Sequence, residues 1–126
     1  MDVARVAATL RGKAMSYPGA WEDYPWGEVV AKVQKKVFVF LGKGTGEDGE
    51  YSFSVKLPQS GEAARDLPFV APTGYGLAKA GWVTVTLTPK TRVPTEMLLG
   101  WLDESYRAVA PKKLVATLSP KPDPTP

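Results

Sequence analysis

"EYSFSVKL", residues 50–57, sets Tyr51, Phe53, Val55 and Leu57 against Ser52, Ser54 and Lys56. A strict period of two is the pattern of a strand with one face in a core and the other in water. WVTVTL, 82–87, repeats it, with Val83, Val85 and Leu87 opposed to Thr84 and Thr86. Two further strands are expected upstream, at 28–33 (EVVAKV) and 36–41 (KVFVFL). Gln34-Lys35 leaves two residues between them, which makes an antiparallel hairpin. GKGTGEDG, 42–49, joins the second strand to the third as a longer, flexible loop.

A one-sided sheet needs a cover, and the two ends of the chain supply it. Val3, Val6, Ala7, Leu10 and Ala14 recur at helical spacing, with Asp2 placed to cap the helix and Tyr17-Pro18-Gly19 to stop it. Leu98, Trp101, Leu102 and Val109 form the stripe of a second helix, which Pro94 starts and Pro111 closes. Between the sheet segments, SGEAARDL (60–67) suggests one or two helical turns, and FVAPTGYGLAKAG (69–81) a glycine-rich connection. The expected fold class is α+β: a two-layer domain in which N- and C-terminal helices pack on an antiparallel β-sheet. Its other face is partly open and available for binding. One domain is expected over residues 1–118, and SPKPDPTP, 119–126, reads as a disordered proline-rich tail.

The chain has no cysteine and no histidine. That excludes disulfides, zinc-thiolate sites and thiol nucleophiles, and it removes the usual general base and the commonest metal ligand. An enzyme is therefore not expected, and neither a cofactor nor a metal is implied. No apolar run approaches the roughly 18 residues of a membrane span, and MDVARVAATLRGKAM lacks the apolar core of a secretory signal. A monomeric cytoplasmic protein without membrane contact is the expectation. The net charge of +3 is mild, and because residues 1–27 and 95–126 are each balanced, the surplus sits where the strands are.

Three local features invite a functional reading. Gly44 to Gly49 matches G-x-G-x-x-G, but it stands between two strands with no helix after it, and Glu47 and Asp48 would repel a phosphate. A plain hairpin loop is expected. EDYPWGE, 22–28, offers Glu22, Asp23 and Glu28 as an acid–base pair or a cation site. The structural alternative is a turn shaped by Pro25 and Gly27, in which Tyr24 and Trp26 cover the core edge and Glu28 opens a strand. Finally, Lys32, Lys35, Lys36, Lys43 and Lys56 lie on or beside the sheet. With Tyr75, Lys79 and Trp82 they make a basic, aromatic surface of the kind nucleic acid binds, or else a solvated face whose lysines protect sheet edges.

EDYPWGE (22–28), KVQKKVFVFL (32–41), VKLP (55–58), GYGLAKAGWVTVTL (74–87) and LDESY (102–106) stand in the order and spacing of the MmcQ/YjbR family. The chain resembles that family from about residue 3 to about residue 113. The resemblance implies a compact α+β domain with helices at both chain ends. It also implies the description its members carry, predicted DNA-binding proteins with a double-wing motif. The family's patterns match Gly74, Tyr75, Lys79 and Trp82, then Glu22, Tyr24, Pro25, Trp26, Gly27 and Glu28, and on the last helix Ser105 and Tyr106. Where many relatives resemble G-Y-H-M-N-K-x-H-W, this chain has Gly76, Ala78 and Gly81, so any role needing those imidazoles or that amide is absent or altered.

Two functions of different kind follow. The first is a weak, largely non-specific nucleic-acid-binding module, DNA being the implied partner, using Lys35, Lys36, Lys43, Lys56, Tyr75, Lys79 and Trp82. The second is an adaptor that holds a protein or small ligand in an aromatic cleft of Trp26, Glu28, Trp82, Ser105 and Tyr106. For the tail, four prolines with no apolar anchor predict that deleting residues 119–126 leaves the melting temperature unchanged. A clear drop in a thermal melt would show that it docks.

Overall fold

A computed structural model describes residues 1–118, and the proline-rich segment 119–126 lies outside the described residues. Helix α1 (Val3–Ser16) is followed by strands β1 (Ala20–Asp23), β2 (Val29–Val33), β3 (Lys36–Gly42) and β4 (Tyr51–Lys56). Then come the short helix α2 (Gly61–Ala64), strands β5 (Val70–Pro72) and β6 (Trp82–Leu87), helix α3 (Thr95–Val109) and the short helix α4 (Lys112–Val115). The six strands form one sheet in the order β1-β2-β3-β4-β6-β5, and every neighbouring pair is antiparallel. The α+β class and the terminal helices expected from the sequence are present.

Two strands escaped the sequence pattern. β1 lies partly within EDYPWGE, and β5 opens the connection read as glycine-rich. Each is an edge strand of three or four residues, too short to show alternation, and each pairs with a strand that was legible.

Register explains how the faces divide. One transverse row runs Glu22, Ala31, Val39, Val55, Val83, Pro72, and the next runs Asp23, Val30, Phe40, Ser54, Thr84, Ala71. The first row lies on the helix side, where Val3, Val6, Leu10 and Ala14 of α1 meet Leu98, Trp101, Leu102 and Tyr106 of α3 over the sheet. Burial of these side chains, each contributing on the order of 1.5–3 kcal/mol when large, drives the assembly. The second row lies on the far face, which neither long helix covers.

α3 is also tied to the sheet by a bond the hydrophobic stripe does not predict. Between the pairs Ala31↔Val39 and Lys32↔Val37 the register slips, leaving Phe38 as an extra residue in β3. Its ring enters the helix-side core, edge-on to Tyr106 at 5.1 Å, while Tyr106 stacks on Tyr17 at 4.4 Å. The Phe38 carbonyl accepts a hydrogen bond from Ser105 Oγ, and the same Oγ accepts one from the Lys56 N–H at 2.8 Å. Ser105 thus satisfies the backbone of β3 and β4 where their own ladder stops. Glu104, also buried, accepts from the N–H groups of Gln59 and Ser60 at 3.0 Å and so fixes the chain entering α2.

Two outcomes follow. Leu102→Ala empties volume at a site that is 1% exposed and is expected to cost about 2–5 kcal/mol in urea denaturation. Ser105→Ala orphans a buried carbonyl and a part-buried N–H at once. It should cost about 1–3 kcal/mol for each, with faster amide exchange at Lys56 as the local signature.

Candidate functional site

The sheet is antiparallel throughout, so alternate connections collect at each of its ends. β2 finishes at Val33 and β3 starts at Lys36, with Gln34 taking the positive φ, 54°, that so tight a turn demands. Trp21 on the edge strand donates its indole N–H to the Gln34 carbonyl at 2.9 Å and steadies this turn. β4 ends at Lys56, directly opposite Trp82, where β6 begins, and β5 ends nearby at Pro72. The 34–35 turn and the 73–81 connection therefore project from the same end. Three strand spacings, about 14 Å, separate them.

That end gathers most of the basic residues singled out from the sequence. Lys35, Lys36 and Lys79 are exposed and Lys56 is half-buried. None of the four forms an ion pair among the described residues. Tyr75 is fully exposed, and its backbone is left-handed at φ 59°, a costly state for an aromatic residue. The acidic neighbour is Glu62, which lines a groove of about 260 Å³ beside Arg65, Lys79 and Trp82. Arg65 was missed in the sequence because nothing in SGEAARDL announces that α2 folds against the 73–81 connection.

Other expected members fall elsewhere. Lys43 sits in the loop between β3 and β4, at the opposite end of the sheet, so it does not join the other lysines. Trp82 is only 7% exposed, with its ring set against Phe40 at 5.2 Å and 67°. It is a packing residue of the far face and not a free stacking platform. The aromatic cleft does not assemble either. Trp26 and Glu28 precede β2 at the Lys43 end, Trp82 opens β6 at the other, and Ser105 and Tyr106 are fully buried on the helix side.

EDYPWGE resolves into parts with separate duties. Glu22 faces α1, where it accepts from the Arg11 guanidinium and, at 2.7 Å, from the Tyr24 hydroxyl. Asp23 points to the far face and pairs with Lys32 at 2.7 Å, while Lys32 lies over the Trp21 ring. Arg11 first, and Lys32 for its partner, hold both carboxylates below their ordinary range. Two ionised carboxylates on opposite faces make no acid–base pair. Tyr24 and Trp26 do not cover the core edge as expected, being 56% and 95% exposed. The Pro25–Gly27 turn lifts them off the sheet, and Trp26 takes φ 52° within it.

Gly76 and Gly81 carry φ of 77° and 92°. These are the positions at which the family pattern has imidazoles. In this chain both positions lie in a conformation that L side chains rarely adopt. The sequence also concealed a hydroxyl ladder on the far face. Ser52 meets Thr86 at 2.9 Å, and Ser54 meets Thr84 at 2.8 Å, which in turn meets Thr73 at 3.0 Å. Its signal was the matching polar sides of residues 51–57 and 82–87.

No functionally curated protein matches this chain. The crystal structure of Deinococcus radiodurans protein DR2400, with domain DUF419, is similar at 27% identity and a TM-score of 0.69 over 92% of this chain and 94% of that one. The YjbR family model matches residues 15–108, which take in the whole sheet and most of α3, and the chain belongs to the YjbR family.

Proposed function

We propose that the chain is a nucleic-acid-binding module, and not an enzyme, that uses the 34–35 turn and the 73–81 connection as two projections, a double wing, against a phosphate backbone. One observation carries the reading. Lys35, Lys36 and Lys79 emerge from both projections at one end of the sheet with Glu62 as an acidic neighbour, whereas at the other end Glu28, Glu47, Asp48 and Glu50 outnumber Lys43, Lys90 and Arg92. A phosphate chain favours the first end over the second. The strained, solvent-facing Tyr75, on the same connection as Lys79, adds a ring that can lie on a base or sugar. Three lysines imply few phosphate contacts, hence weak binding that reads little sequence and falls steeply with salt. No membrane enters the reading: among the described residues no helix is long and apolar enough to cross one.

Titration of labelled duplex and single-stranded DNA at low salt tests this. Each phosphate contact adds about 0.9 to the slope of log affinity against log salt. Native protein should therefore show a slope of about 2.7 in magnitude on the duplex and about 2.1 on single strands, where each contact adds about 0.7, and the K35A/K36A/K79A variant a much shallower one with weaker binding to every sequence. All three side chains are exposed, so the variant should fold normally. Absence of binding at tens of micromolar, or identical curves for the two proteins, would sink the proposal.

A further inference from the structure

The far face of the sheet holds, at the end remote from the two projections, a groove of about 450 Å³ lined by Glu28, Phe40, Lys43, Glu50, Ser54 and Thr84 among others. Its chemistry is lopsided. The carboxylates of Glu28 and Glu50 make no hydrogen bond or ion pair among the described residues. Ser54 and Thr84 share a hydrogen bond at 2.8 Å, and hydroxyl oxygens of this kind retain lone pairs. Walls and floor are therefore rich in acceptors, with Lys43 as the cation in the lining. Phe40 supplies an aromatic surface whose orientation is fixed by Trp82. The adjoining loop adds Glu47 and Asp48, and Trp26, 95% exposed, stands two residues before Glu28.

Phosphate is excluded from such a groove by charge. A guanidinium suits it: five N–H donors, no acceptor, a flat face for an aromatic ring and a fork for a carboxylate. An ammonium is more strongly hydrated and lacks the flat face. We infer that this groove docks an arginine side chain carried by an extended basic segment of a partner protein. Charge complementarity selects that occupant, and the site is separate from the nucleic-acid-binding end.

Fluorescence anisotropy with a labelled peptide of alternating glycine and arginine provides the test, with glycine–lysine and glycine–glutamate peptides beside it. The arginine peptide should saturate below about 1 mM at low salt, with the lysine peptide several-fold weaker and the glutamate peptide silent. Glu28→Gln with Glu50→Gln, both at exposed positions, should weaken binding at least about tenfold. Lys43→Ala should tighten it several-fold, the sign opposite to that of a nucleic-acid contact. The K35A/K36A/K79A variant should bind the peptide as the native protein does, which separates this site from the proposed DNA surface. No saturable binding, equal affinity for the lysine peptide, an unchanged E28Q/E50Q variant, or weaker binding by K43A would each overturn the inference.

Discussion

The structure turns on a single hydroxyl. Ser105 Oγ donates to the Phe38 carbonyl and accepts from the Lys56 N–H, and by doing so lets the centre of the sheet open without leaving buried polar groups unpaired. The bulge at Phe38 swings an aromatic ring under α3, where Tyr17 and Tyr106 hold it. Tyr106 then anchors its own hydroxyl on the Pro18 carbonyl and Tyr17 donates to Asp103, so α1, α3 and the sheet interlock through three neighbouring side chains. Burial and the Asp103 carboxylate push the Tyr17 phenol far above its ordinary range, keeping it a neutral donor.

With the middle of the sheet fixed in this way, its two ends take different characters. At one, turns bounded by Gln34 and by Gly76 and Gly81 present ammonium groups and a tyrosine to solvent. At the other, Glu28 and Glu50, which form no ion pair among the described residues, line a groove floored by hydroxyls. Nothing in the composition announces this polarity, because a net charge of +3 reports a sum and not an arrangement. Topology creates it: in an antiparallel sheet, residues far apart in the chain share an end whenever they sit on alternate connections.

Sequence patterning conveyed the layers well for a physical reason. Alternation in residues 51–57 and 82–87, and the apolar stripes of Val6 and Leu10 or of Leu98 and Leu102, record burial, and burial is what periodicity measures. Edge strands with three or four residues, such as Ala20–Asp23 and Val70–Pro72, leave no such record. The candidate site was legible in its residue types but not in its grouping. Lys35, Lys36 and Lys79 stood out as cations on connections, yet only the strand order separates them from Lys43. Trp82 looked like a free aromatic because a tryptophan at the start of a strand gives no sign that Phe40 will pack against it. Ser105 and Tyr106 were recognised as part of a family pattern, but their role is internal: the pattern marks the bond that closes the fold.

The two outer strands carry a consequence for how the molecule behaves at high concentration. A sheet edge with free amides is a template on which another chain can extend the ladder, the first step toward fibrils. β5 offers three residues and ends in Pro72, which has no N–H to give. β1 offers four, of which Glu22 and Asp23 are already committed to Arg11 and Lys32 and would carry that burden of charged pairs into any intermolecular strand stack. Six strands can therefore remain six, with growth of the sheet stopped on one side by a missing donor and on the other by charge.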